Sequence, residues 1–480
     1  MWVIHYVSER PFVSIQSRNP FSLLTHLAGD ETQLDVFSAD SCIESWLATE
    51  RALAIAQGEH AVISADDAAA IAAAARIDNI DRDSLWETSK NVGYPILGLV
   101  RQISGALPEG PNGRVHYGAT TQDIMDTGLA LQLARSLAAL DRQLGELGDA
   151  LAVQVEAHAG TVMPGRTHAQ QAVPTTFGAT LATLLGQFTR HRERLQQAVP
   201  RIAVISLFGA GGTSAALGAK SADVRTRVAE LLGLHDTDIP WHVDRDGIAE
   251  YGWLCATVAA TCAKLARNIV DLSRTEIGEV FEPYNSHRGA SSTMPQKVNP
   301  ISSEAIIGLS QTAGALLSSL SRIQEAGHER SAGEWQIEWQ VIPQLGVLAG
   351  SALSEALVIV RGMRVDAGRM RANLDLDGGL VMAEAQMIQL AEAMGRERAH
   401  DLLYTAATRA RTTHRVLADT LREVAAEAGV AELLPAQLVT ADDYLGEAKD
   451  IAASAVRGWH NRAVADDDLP SIPQLAGTAS

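Results

Sequence analysis

The chain has 480 residues, 46% of them apolar and 5% aromatic, with a formal net charge of −18 and a sequence pI of about 5.2. That length exceeds one compact core and implies two or three domains, while the abundance of alanine and leucine favours helix. The negative charge repels nucleic acid and anionic membranes, which excludes both as partners; an anionic substrate would have to meet locally placed Lys or Arg.

The opening residues, MWVIHYVSERPF, have neither the long apolar run nor the small-residue cleavage site of a signal peptide. Residues 38–56 predict a first helix, and residues 78–95, DNIDRDSLWETSKNVGYP, predict a break. Residues 108–114, PEGPNGR, read as a loop by composition. From residue 126 to about 362 the pattern changes. Leu137, Leu140, Leu144, Leu147 and Leu151 recur at three-four spacing, the mark of a long amphipathic helix. Similar stretches cover 175–199, 247–278, 304–324 and 340–361, and helices this long pack best side by side in a bundle. No segment has the length of a membrane span. The glycine-rich residues 207–218, LFGAGGTSAALG, lie between helical segments and follow no strand, so they predict a flexible turn and not a nucleotide loop. Shorter helices resume at 380–394 and 396–428, and the tail, ADDDLPSIPQLAGTAS, predicts disorder. The expectation is an all-α chain in three helical domains: 1–117, a long central bundle over 118–372, and 373–480. Cys42, Cys255 and Cys262 are scattered without metal spacing, read as free thiols, and fit a reducing cytoplasm.

Four polar stretches interrupt the helices: VHYGATTQDIMDT (115–127), GRTHAQQAVPTTFG (165–178), GASSTMPQKVNP (289–300) and HERSAGEWQIEW (328–339). Each alone reads as a cap or connection. The third is the most informative. It concentrates hydroxyls, backbone donors, one lysine and a conformationally free glycine, which is equipment for gripping a carboxylate and handling a proton beside it. Its Asn299-Pro300 step predicts a helix start with Asn299 as the N-cap.

GASSTMPQKVNP resembles the signature loop of the fumarase/aspartase superfamily, with Ala290 in place of the usual glycine. VHYGATTQDIMDT and GRTHAQQAVPTTFG resemble that superfamily's first and second substrate-binding regions, in the same order along most of the chain. The resemblance implies a homotetramer around a twenty-helix core, with active sites shared by three subunits, no cofactor, no metal, and a small dicarboxylate substrate. It implies Ser291 as the base, made competent by loop closure that aims backbone N–H groups at its oxygen, and Lys297 and Asn299 as the grip on the carboxylate that accepts charge. Ser292, Thr120, Thr121 and Thr167 would complete substrate binding. His168 would donate a proton or orient a carboxylate, paired with Glu304. Arg190 reads as a charge for an anionic leaving group or as a solvated helix charge, and Asp126 as a site residue or a helix cap. His116, His242 and His328 read as structural.

Several stretches, among them PWHVDRDGIAE (240–250) and NLDLDGGLVMAEA (373–385), look most like the 3-carboxy-cis,cis-muconate cycloisomerase branch. That branch typically carries Trp at the position of His168 and lacks the glutamate. The retained His168 and Glu304 therefore imply a lyase performing β-elimination on a small substituted succinate to give fumarate, nitrosuccinate with loss of nitrous acid being the leading substrate. The alternatives are the cycloisomerase itself, an adenylosuccinate-type or other C–N lyase, and a non-catalytic scaffold. Against a nucleotide substrate stand Ser89-Lys90-Asn91-Val92, where adenylosuccinate lyases carry a histidine, and SAGEWQIEW (331–339), which replaces their phosphate-binding stretch.

Overall fold

The computed structural model describes residues 27–465. The signal-peptide reading and nearly all of the predicted disordered tail fall outside these residues. The described chain is mostly helical, with two small two-stranded sheets, so the all-α expectation holds.

The N-terminal helices are α1 (Glu31–Val36), α2 (Ala39–Glu59), α3 (Ala65–Ala74), α4 (Arg82–Val92) and α5 (Ile96–Gly105). Helix α4 occupies the stretch expected to be a break. Asp81 accepts from the Ser84 N–H at its start, and Gly93, at φ 88°, ends it in the left-handed conformation. The turn signals were the caps of a short helix. Ile43, Leu47, Ile71, Leu85, Leu99 and Ile103 form the core of this block.

Five long helices make the bundle: α6 (Thr121–Ala157), α7 (Phe177–Ile202), α9 (Asp246–Leu272), α10 (Ile301–Leu320) and α11 (Glu334–Gly362), with the short α8 (Ser221–Leu232) between α7 and α9. The leucine series of α6 is fully buried against Phe177, Leu184, Phe188, Cys255 and Leu353 in one continuous core. Helix α11 corrects the reading that nothing here could span a membrane. By length and composition alone it could cross one, but 56% of its most apolar window is buried inside the bundle.

Strands β1 (Val162–Thr167) and β2 (Gln170–Thr176) form an antiparallel hairpin that the helical reading missed. Strand β3 (Val280–Phe281) pairs with β4 (Arg364–Val365). Beyond the bundle lie α12 (Ala367–Asn373), α13 (Ala383–Met394), α14 (Arg396–Thr413) and α15 (Leu417–Glu427), the last three around a separate core that includes Leu390, Leu403 and Leu421. The last helix, α16 (Ala448–Ala465), returns to the bundle, where the Trp459 indole N–H donates to Asp149 at 2.8 Å and its ring lies over Gly148, a position with no room for a side chain.

Candidate active site

The four polar stretches gather at the two ends of the bundle. At one end, residues 115–127 lead into α6. The Thr120 N–H donates to Asp123 Oδ2 at 2.9 Å, so Asp123 closes the helix start. The same buried carboxylate accepts from the Phe208 and Gly209 N–H groups, both at 2.9 Å, and lies 2.8 Å from His242 Nε2. The 207–218 segment, expected to be a flexible turn, is therefore stitched to the helix start by a buried carboxylate. Gln122 donates to the His242 carbonyl, while Arg330 donates to Gln122 Oε1 at 2.9 Å and to the Ala210 carbonyl at 3.0 Å. Thr120 and Thr121, half-buried, sit on this braced platform.

His116 and His242, read as structural, each face a buried carboxylate. His116 Nδ1 lies 2.6 Å from Glu50 Oε1. Burial alone would lower the pKa of His116, but the charge and hydrogen bond of Glu50 outweigh it, and the net shift is upward, so the imidazolium is favoured. Asp126 is not a cap. It lies inside α6, and both its oxygens accept from Arg245, at 2.9 and 3.1 Å. Arg245 also binds Glu338 through two bonds, at 2.7 and 2.5 Å, and its guanidinium lies 4.8 Å from the centre of the Trp241 ring. All three charged groups are buried. Burial works against the arginine's charge, yet the two carboxylates push its pKa upward on balance. With both oxygens occupied, Asp126 reads as scaffold. Beside it lies a cavity of about 280 Å³ walled by Trp46, Met125, Trp335 and Trp339.

At the other end stands the β1–β2 hairpin. His168 and Ala169 form its two-residue turn with φ of 49° and 61°. A turn with both central residues left-handed suits the twist of a hairpin, but Asn and Gly are its ordinary occupants. Holding His-Ala there stores backbone strain, a frequent mark of functional turns. His168 and Thr167 are exposed at the tip. The base is fixed by Arg166, which forms a bidentate ion pair with the fully buried Glu279, at 2.9 and 2.5 Å. Asn373 donates to Glu279 at 2.7 Å, and Gln171 to the Asn373 carbonyl at 2.9 Å.

The 289–300 loop leaves the same end. Its neck closes through the Asn299 N–H to the Gly289 carbonyl at 2.8 Å and an antiparallel bridge between Ala290 and Val298. Gly289 has φ 67°, and a Cβ there would sit 2.3 Å from the Asn299 carbonyl oxygen, so only glycine fits. Ser291 Oγ accepts from the N–H groups of Thr293, at 3.3 Å, and Met294, at 3.1 Å. Two backbone dipoles therefore point at that oxygen and favour negative charge on it. Ser292 and Lys297 are exposed, Asn299 half-buried.

The helix start differs from expectation by one residue and by its cap. Helix α10 begins at Ile301, and no side chain of the 299–300 step caps it. Glu282 does so instead, accepting from the N–H groups of Ser302 and Ser303 at 3.3 and 2.7 Å. Glu304 is exposed in the first turn of α10, and no hydrogen bond among the described residues joins it to His168. Arg190 is exposed on α7. Glu282, Glu279, Asp123, Arg245 and Arg330 were missed by the sequence reading. The only available signal was charge beside apolar residues, as in EVFEP (279–283), which does not distinguish a buried brace from a solvated face.

Within one chain these parts do not meet. Thr120 stands at the start of α6 and the hairpin follows its end, and 37 helical residues span about 55 Å. No hydrogen bond among the described residues connects residues 115–127 to either the hairpin tip or the 289–300 loop.

A family model described as "Lyase" matches residues 25–313, and one described as "Adenylosuccinate lyase C-terminus" matches residues 379–455. The chain belongs to the fumarase/aspartase superfamily. This superfamily member is 42% identical over 437 residues to a 3-carboxy-cis,cis-muconate cycloisomerase of Pseudomonas aeruginosa, covering 90% of this chain and 93% of that one. Among solved structures it is similar to the 3-carboxy-cis,cis-muconate lactonizing enzyme of Pseudomonas putida, with a TM-score of 0.85, 39% identity, and coverage of 92% and 100%. It is also similar to a fumarate lyase of Mesorhizobium sp., with a TM-score of 0.82, 37% identity, and coverage of 90% and 98%. The superfamily member is thus an enzyme, a lyase or intramolecular lyase, and not a scaffold.

These findings correct the leading functional expectation. The relatives at 42% and 41% identity and two solved structures covering over 90% of this chain are 3-carboxy-cis,cis-muconate cycloisomerases or lactonizing enzymes, and nothing supports nitrosuccinate as substrate. The expectation rested mainly on two side chains, His168 and Glu304, and on the loss of nucleotide contacts; both side chains are exposed and share no hydrogen bond among the described residues. Two side chains weigh less than similarity along the whole framework.

Proposed function

We propose that this enzyme is a 3-carboxy-cis,cis-muconate cycloisomerase. The observation that carries the reading is the 42% identity to a protein of that name over 90% of this chain. In the reaction, one carboxylate oxygen of the substrate adds to a carbon–carbon double bond of the same molecule. The electron pair moves onto the neighbouring carboxyl group as an aci-carboxylate, and a proton then joins the carbon between them. One carboxylate becomes the ring ester and one proton is taken up, so the lactone is an isomer of the acid form of the substrate, and solvent returns the proton to the enzyme. Ser291 supplies that proton in the closing direction and removes it in the reverse, and its oxygen holds the resulting charge against the Thr293 and Met294 N–H groups. Lys297 and Asn299 bind the carboxyl group that receives the charge, with Ser292, Thr120, Thr121 and Thr167 holding the remaining carboxylates. His168 orients a carboxylate from the hairpin tip, with Glu304 as its carboxylate partner. Arg190 stays solvated.

The site forms between subunits of a homotetramer, three of which contribute to each site. The supporting features are the roughly 55 Å that separates Thr120 from the hairpin along α6, and the composition of α10. From Ala305 to its end that helix has no charged residue, yet Gly308, Thr312, Gly314 and Ala315 are exposed, as suits a helix covered by another subunit. Three free thiols fit the cytoplasm.

Purified protein mixed with 3-carboxy-cis,cis-muconate should bleach the diene absorbance and yield a lactone. Absence of lactone at micromolar enzyme would end this reading.

A further inference from the structure

The loop carrying Ser291 is exposed through residues 292–298, yet the chain on either side of it is anchored in one buried network. Its centre is Glu282, only 7% exposed. Oε1 accepts from the Ser303 N–H at 2.7 Å and the Ser303 hydroxyl at 2.8 Å. Oε2 accepts from the Ser302 N–H and from Arg288 Nη2, each at 3.3 Å. Arg288 immediately precedes the loop, and Ser302 and Ser303 closely follow it. Arg288 Nη2 also donates to Ser302 Oγ at 2.5 Å, and that hydroxyl donates in turn to Glu355 of α11. Glu282 itself follows β3, which is paired with β4, and its carbonyl accepts from Arg364 Nε at 3.4 Å.

We propose that Glu282 is a positioning residue for the reaction, a clasp that fixes both ends of the Ser291 loop; its effect on turnover, though not its structural role, rests on the functional reading above. A carboxylate suits the place for two reasons. It satisfies two N–H groups that a helix start leaves without partners, where negative charge is also favoured. It presents acceptors only, so all four donors can converge on it. Glu282 also relieves Asn299 of capping. The Asn299 side chain, which the sequence assigned to the helix start, makes no hydrogen bond among the described residues and is left for a ligand carboxylate. Ser291 stands three residues beyond Arg288 with few tethers of its own, so its placement follows from that anchored base.

The test uses the full chain, Glu282→Gln and, as a second route to the same clasp, Arg288→Met. An amide at 282 turns a donor toward two of the four donors; methionine at 288 removes one anchored end. In both variants kcat/KM with 3-carboxy-cis,cis-muconate should fall by roughly 10- to 100-fold, the scale of a small misplacement of a reacting group. Hydrogen–deuterium exchange should quicken in peptides covering 286–304, while those of α6 and α9 keep wild-type rates. Unchanged loop exchange in both variants overturns the proposal, whatever the activity. So does exchange that quickens throughout the bundle, which marks general loss of stability. If the wild-type enzyme gives no lactone, the functional reading fails separately, and loop exchange alone decides whether the clasp exists.

Discussion

Ser291 Oγ accepts the Met294 N–H at 3.1 Å and the Thr293 N–H at 3.3 Å, across one turn of the loop. A serine hydroxyl is a weak base, and in the proposed mechanism these two dipoles would stabilise its alkoxide. Ser291→Ala should lower kcat by about 10²–10⁴-fold, the range for loss of a positioned acid or base, with circular dichroism and oligomeric mass unchanged. Full turnover in that variant would assign the proton to another group.

Gly289 controls the loop from its neck. A methyl group there meets the Asn299 carbonyl oxygen at 2.3 Å and would have to be borne at φ 67°. Gly289→Ala should therefore remove most activity while leaving the thermal midpoint of the bundle within a few degrees. Wild-type kinetics would show that the neck opens without cost.

Arg245 separates two buried carboxylates, Asp126 and Glu338. Arg245→Met leaves both without their cation and should cost about 3–5 kcal/mol, as breaking buried ion pairs does. Urea denaturation of wild type and variant at equal protein concentration measures it, since assembly shifts apparent stability. A loss under about 1 kcal/mol would mean the carboxylates find other partners.

His191 is buried in the bundle with its Nε2 2.7 Å from Thr261 Oγ1. Burial, helped by Arg194 and Arg190, pushes its pKa down to about 4. The unfolded chain, titrating near 6.5, then binds the extra proton between these values. The neutral histidine is accommodated fully above pH 6.5, and stability falls as pH drops toward 4, by up to about 3 kcal/mol. His191→Gln should flatten the stability–pH curve over that window alone. An unchanged slope would show that His191 stays accessible to protons.

The long helices were legible in sequence because burial repeats with the helical period: Leu137, Leu140, Leu144, Leu147 and Leu151 were read as one stripe and are one buried stripe. The 289–300 loop was legible because its chemistry is local, with hydroxyls, glycine, lysine and proline in one short run. The hairpin was not, because GRTHAQQAVPTTFG lacks the Asn-Gly turn that announces one, and a His-Ala pair adopts that turn only when the rest of the fold holds it there. The cap of α10 was misread for a related reason. Asn299-Pro300 is a good local signal, but Glu282, just after β3, reaches the Ser302 and Ser303 amides from 20 and 21 positions earlier and wins by being buried and charged. Asp126 shows the limit again, since only the arrival of Arg245, 119 positions away, turns a cap-like aspartate into half of a buried ion pair. Sequence alone thus determined what recurs or reacts within a dozen residues, namely the helices, their apolar faces and the reactive loop. Tertiary structure decided which charges are buried together, because a carboxylate's partner is set by where distant segments pack and not by its neighbours in the chain.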